Sequence, residues 1–263
     1  MESASQTLAR QNILVTGSTK GLGADLAIML ARHGANLIIV GRDQSAGEAV
    51  AASIRALGRE AIAIAADVSD EEAMGAATRQ ALAHFGRIDR LLCVAGVSSP
   101  RRPIWEADTA DFHAYFNVNV LGVMLAMRAV LPSMIAQQDG RIVLIGGTYG
   151  HKGVAKSSLY AATKWALRGM AKSVALEVGA HNITVNVIAP GGIDGQRLRD
   201  EFAASAKREG IQPEDVLKRF TARSALGRLI DSEDVGHAVI HLFSESGRMI
   251  TGQDIIIDAG TVV

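Results

Sequence analysis

Short apolar runs alternate with stretches of helical periodicity along the chain. Asn12-Ile13-Leu14-Val15-Thr16 ends at Gly17 and predicts a buried strand. Apolar positions at Leu22, Leu26, Met29 and Leu30 then repeat at helical spacing, and Gly34 marks a stop. The same alternation predicts strands over 36–40, 61–65, 88–94, 141–145, 184–188 and 254–257. Between them the periodicity predicts helices over 44–57, from Ser69-Asp70-Glu71-Glu72 to His84, over 109–137, from Ser157 or Ser158 to Ala180, and over 232–243. Residues 196–220 read as polar helix interrupted by Gly210 and Pro213. The strands are continuously apolar, which requires a sheet buried on both faces. The predicted fold class is α/β: one doubly wound parallel sheet of about seven strands, in a single domain spanning 1–263 with a flexible 1–10 terminus.

Composition narrows the function classes. The 263 residues are 48% hydrophobic, with Lys plus Arg and Asp plus Glu both at 27. Disorder needs the opposite balance. Zero formal charge argues against nucleic acid or an anionic membrane as the main partner. The single cysteine, Cys93, excludes a disulfide scaffold and fits a cytoplasmic location. Met1 to Arg10 lacks a signal-peptide core, and no run reaches the ~18–20 apolar residues of a membrane span. The histidines form no ligand cluster, so no metal is expected.

Ligands of such sheets bind at the carboxyl ends of the strands. The first strand runs into Gly17-Ser18-Thr19-Lys20-Gly21-Leu22-Gly23 at a helix start, where glycines let backbone amides approach a pyrophosphate. The alternative is a plain glycine turn. The second strand ends at Val40-Gly41-Arg42-Asp43, with no acid directly at its end to take a ribose hydroxyl. Arg42 and Lys20 together favour a 2′-phosphate, hence NADP over NAD, unless they are simply a solvated pair. Asp67 can accept from an adenine amine or serve as a turn aspartate. Tyr160 and Lys164 lie four apart on one helix face. A phenol ionises near pH ~10 and is a poor base unless a nearby cation favours the phenolate, so the pair can move a proton.

Taken with Asp67-Val68, Ala95-Gly96, Val118-Asn119-Val120, Tyr160-Ala161-Ala162-Thr163-Lys164, Asn186-Val187-Ile188-Ala189-Pro190-Gly191 and Thr251-Gly252-Gln253, the chain resembles a short-chain dehydrogenase/reductase of the single-domain, Rossmann-like type. The resemblance implies a nicotinamide-dependent alcohol/carbonyl oxidoreductase. In it Tyr160 is the acid/base, Lys164 its partner and ribose ligand, and Asn119 the holder of a proton-relay water. It also implies cofactor contacts at Gly17 to Gly23, Val68, Ala95, Gly96, Pro190, Gly191 and the Ile193 backbone. A mobile substrate-binding segment over 191–220 follows, as does a homodimer or homotetramer built on the two long helices.

Four positions depart from the family pattern. Gly147 stands thirteen residues before Tyr160, where the family has its catalytic serine. Thr148 can supply the hydroxyl only if the strand end is twisted, because neighbouring side chains otherwise face opposite ways. Cys93-Val94 replaces two asparagines, Gly195 replaces a threonine of the carboxamide loop, and Ala259 a glycine near the end. Substrate contacts are expected from Ser98, Tyr149, His151 and Arg197, in loops that also carry Ser99, Arg101, Arg102, Trp105, Lys152, Lys156 and Gln196; the cations there suit a small, anionic substrate unless they are simply solvated loop charge. The competing functions are a weakly catalytic nucleotide-binding or scaffold protein and an NAD-dependent dehydrogenase of the same family.

Overall fold

The structure is a computed structural model that describes residues 7–98 and 101–262; residues 1–6, Ser99 and Pro100 lie outside the described residues. Seven parallel strands form one sheet in the order β3-β2-β1-β4-β5-β6-β7. They are β1 (Asn12–Thr16), β2 (Asn36–Gly41), β3 (Ala61–Ala65), β4 (Arg90–Cys93), β5 (Gly140–Ile145), β6 (Ile183–Pro190) and β7 (Asp254–Ile257). Helices α1 (Gly21–Arg32), α2 (Gln44–Ala56) and α3 (Glu71–Phe85) connect the first half. The second half carries α4 (Thr109–Phe116), α5 (Gly122–Gln137), α6 (Ser158–Val178), α7 (Gln196–Glu209), α8 (Pro213–Thr221) and α9 (Ser232–Phe243).

The strand residues divide between two cores by the period of the pleat. Leu14, Ile38 and Leu91 pack with Met74, Val123, Ala126 and Leu167 under α3, α5 and α6. Ile13, Val15, Leu37 and Leu92 pack with Leu26, Leu30, Val239 and Phe243 under α1 and α9. Strand order reverses between β1 and β4, which opens a crevice at their carboxyl ends.

Two elements differ from the sequence expectation. The 109–137 helix is broken by a π turn at Asn117–Leu121, whose extra residue lets Asn119 turn inward and become buried. The same segment has a window of mean hydropathy 1.7, so by length and composition it reaches what a bilayer span needs. Here its apolar side is core: Val123, Ala126, Val130 and Met134 pack against the sheet. Residues 7–10, expected in a flexible terminus, form a turn; Leu8 is fully buried and its N–H donates to the His33 carbonyl at 3.0 Å. The interrupted polar helix expected over 196–220 is present as α7 and α8, separated where Gly210 takes φ 68° and Pro213 starts α8.

Asn186 on β6 ties the last strand in place. Its Nδ2 donates to the Ile250 carbonyl at 2.7 Å, and its Oδ1 accepts the Gln253 N–H at 3.0 Å. Asn186→Leu leaves both backbone groups unpaired beside a buried site and should cost about 2–4 kcal/mol of unfolding free energy, measured by urea denaturation.

Candidate active site

The turn after β1 is shaped by close approach. Gly17 takes φ 68°, and a Cβ there would lie 2.5 Å from the Ala95 Cα, so only glycine lets the ends of β1 and β4 meet. A Cβ on Gly23 would lie 2.2 Å from the Gly17 carbonyl oxygen, so α1 seats directly on the turn. No side chain caps the N-terminus of α1, and its first turn holds no acid. Its leading N–H groups are therefore available to an anion. Not every residue of the loop faces the crevice. Ser18 is buried, with Oγ donating to the Val15 carbonyl at 2.7 Å and accepting the Val40 N–H at 3.1 Å. Its side chain joins β1 to β2 rather than reaching a ligand. Thr19 packs over Gly41, where a Cβ would lie 2.6 Å from the threonine methyl.

Beyond Gly41, Arg42 is exposed, as is Lys20 at the start of α1. Among the described residues, neither side chain makes a hydrogen bond or ion pair. Asp43 is engaged elsewhere: it caps α2 by accepting the Ala46 N–H at 3.0 Å. Asp67 accepts both the N–H and the Oγ–H of Ser69, at 2.9 and 2.7 Å. Those bonds, with a smaller contribution from Arg42, hold its carboxyl below the usual carboxylate range. Val68 packs on Gly122, where a Cβ would approach its methyl to 2.7 Å.

The crevice continues to the ends of β4 and β5. Asn119 Oδ1 accepts the Val97 N–H at 2.8 Å, while Nδ2 donates to the Val97 carbonyl at 3.0 Å and to Thr163 Oγ1 at 3.2 Å. Thr163 in turn donates to the Tyr160 carbonyl at 2.7 Å. Sequence reasoning missed Thr163, whose only signal was its place between the tyrosine and the lysine. A Cβ on Gly96 would stand 3.4 Å from Asn119 Oδ1 and 3.9 Å from Lys164 Nζ, so glycine keeps this floor open.

Lys164 is buried, and Nζ donates to the Ile145 carbonyl at 3.1 Å. Burial, aided by the charge of Arg197, lowers its pKa to about 8. Nζ lies 5.6 Å from the centre of the Tyr160 ring. Burial pushes Tyr160 above its ordinary value, and the cation that draws it back is Arg197, against Tyr149 and Glu201.

The cleft over Tyr160 is lined by Gly147, Thr148, Tyr149, Ser98, Arg101 and Arg197, among others. The chain leaves β5 through Gly146-Gly147 and enters a short 3-10 turn at Thr148, so strand alternation no longer applies. Gly147 and Thr148 thus line the same cleft. A Cβ on Gly147 would have only Pro190 O at 3.9 Å and Lys164 Cγ at 4.0 Å nearby. Tyr149 meets Tyr160 edge to face at 5.7 Å. His151, expected at the substrate, is not part of this lining. Its Nε2 is buried without a partner, and burial and the Arg168 charge hold its pKa low. It follows the turn over 148–150 and lies in the field of Asp254 and Asp258.

After β6, Gly191 packs on Asp258. Ile193 pairs with Ile230, and the bonds run from Asp194 N to Ile230 O and from Ile230 N to Gly192 O, at 2.8 and 3.1 Å. The Ile193 N–H and carbonyl therefore point to the other side, without a partner among the described residues. Gly195 begins α7 with no side-chain cap. Open glycine floors and unpaired amides together fit a dinucleotide. Cys93 is buried, its thiol pushed up to about 12 by burial, and it plays no visible part in the cleft. Among the described residues, no cluster of three or more His, Cys, Asp or Glu side chains could hold a metal ion.

Comparison with known proteins agrees with this anatomy. Oxidoreductase UcpA of Escherichia coli (strain K12) is 35% identical over 97% of this chain and 96% of its own length. Cis-4-hydroxycyclohexanecarboxylate dehydrogenase of Sinomonas cyclohexanicum is 31% identical over 97% of this chain and 98% of its own. Among solved structures, an NAD+-bound xylitol dehydrogenase superposes with a TM-score of 0.91 at 28% identity, covering 96% of this chain and 99% of that one. Sorbitol-6-phosphate 2-dehydrogenase SrlD from Erwinia amylovora gives a TM-score of 0.91 at 29% identity, with coverages of 96% and 99%. Residues 11–206 match the short chain dehydrogenase family, and the chain belongs to it.

Proposed function

We propose that this short-chain dehydrogenase interconverts a secondary alcohol and a ketone or aldehyde with NADP(H), using Tyr160 as its acid/base. The observation that carries the reading is the shared cleft of Tyr160 and Thr148 above the buried Lys164. The bound dinucleotide supplies or accepts the hydride. In reduction, Tyr160 gives its hydroxyl proton to the carbonyl oxygen, and in oxidation the phenolate takes it back. Thr148 donates a hydrogen bond to the same oxygen in place of the serine absent at Gly147. Lys164 keeps two N–H bonds beyond the one to Ile145, enough to hold a ribose hydroxyl and to pass a proton outward. The polar atoms of the Asn119 side chain already bond to Val97 and Thr163, so it serves to lock the loop after β4 against α6.

Arg42 and Lys20 support NADP as the cofactor, since they are unpaired and near the expected ribose, while Asp43 is occupied as a helix cap. The xylitol dehydrogenase neighbour holds NAD+, which keeps NAD as the competing reading. Two names among the similar proteins describe substrates with a carboxylate or a phosphate. The exposed Trp165 and Leu176 on α6 favour a second copy of the chain as partner.

Tyr160→Phe should lower kcat for ketone reduction by ~100-fold or more and leave NADPH affinity, read by fluorescence titration, within a few-fold. Retained turnover would remove the phenol from the chemistry. Arg42→Asp should reverse the NADPH:NADH preference in kcat/KM; an unchanged ratio would mean that Arg42 does not meet a phosphate. Thr148→Val should lower kcat ~10–100-fold. Normal kinetics in this variant would rule out the replacement hydroxyl.

A further inference from the structure

We propose that the mouth of this cleft is a carboxylate subsite, and that the substrate is a hydroxy or keto acid carrying one negative charge. The proposal rests on Tyr160 being the reacting group. Arg101 Nη2 donates to the Tyr149 hydroxyl at 2.7 Å. That hydroxyl, having accepted, still has its own proton to donate. Arg197 Nη1 is shared between Glu201 Oε1 at 3.0 Å and Ser98 Oγ at 3.4 Å. A guanidinium has five N–H donors, so each arginine keeps several for a ligand.

The arginines near the mouth divide into two kinds. Arg102 pairs with Asp111 at 3.3 Å, and Arg199 with Asp194 at 3.0 Å. Neither lines the cleft. Arg101 and Arg197 do, together with a single acid, Glu201. Arg101 is bonded to a neutral phenol rather than to a carboxylate. Two cations against one anion leave one net positive charge facing the reacting end. That balance suits a carboxylate, whose two oxygens match a guanidinium fork, better than a doubly charged phosphate.

The geometry links the subsite to the chemistry. The Tyr149 ring that orients Arg101 packs edge to face on Tyr160. Arg197 is close enough for its charge to act on both Tyr160 and Lys164. A carboxylate bound there is held on the same wall as the phenol, and Gly147 places no side chain between them. Holding the remote end fixes the carbonyl relative to Tyr160, which is how binding energy away from the reacting atoms raises kcat/KM.

The test compares keto acids of four to eight carbons, beginning with 4-oxopentanoate, with their methyl esters under NADPH. The esters keep the skeleton and lose the charge. The acid should exceed the ester in kcat/KM by at least about 10-fold, as expected for charge-assisted hydrogen bonds. Arg101→Gln and Arg197→Gln should each reduce that acid:ester ratio several-fold, whatever they do to the absolute rates. A wild-type ratio near one across the panel, or a ratio untouched by both substitutions, would overturn the subsite while leaving the oxidoreductase reading intact. Should nothing be reduced, that reading fails, and calorimetric titration of the same acids and esters into the NADP+-saturated protein decides the subsite alone. Selective binding of acids, lost in both variants, upholds it, and equal or absent binding ends it.

Discussion

An ammonium group held out of water beneath a tyrosine ring is the constraint around which this cleft is organised. Burying such a charge costs several kcal/mol unless it is bonded, and the surroundings of Lys164 answer that cost. The Ile145 carbonyl at the end of β5 accepts one of its protons. Its pKa falls toward neutrality, so it can change protonation state without leaving its place. The end of the central strand therefore has to stop where it does. Two glycines after Ile145 turn the chain away and leave that carbonyl free for the lysine.

The other polar groups form a connected frame rather than independent contacts. Asn119 joins the loop after β4 to Thr163, and Thr163 is bonded to the backbone of Tyr160. The π turn that delivers Asn119 is thus linked to the helix that carries Tyr160 and Lys164. A regular helix over 109–137 would rotate Asn119 away from the loop it holds. The distribution of charge is equally specific. Arg197 comes from α7, outside the sheet, and acts on Tyr160 and Lys164 together.

Much of the fold was legible in the residues. Continuous apolar strands such as Leu37 to Val40, separated by amphipathic helices, admit few arrangements other than a covered parallel sheet. The nucleotide end was legible for a related reason: glycines such as Gly17 and Gly23 stand where a Cβ would strike backbone. The failures have a common origin. Ser18 looked like part of a ligand loop and proved to be a strand tie, because its orientation depends on where β2 lies. His151 follows the 3-10 turn after β5 and is not among the residues that line the cleft.

Local pattern determined the elements, their order, and the pairing of Tyr160 with Lys164 on one helix face, because these follow from backbone periodicity and steric demand over a few residues. Only the tertiary structure decided which hydroxyl stands beside Gly147 and which arginines line the cleft. Those properties depend on distances between elements far apart in the chain, and on how much water lies between the charges, neither of which is written in any local pattern.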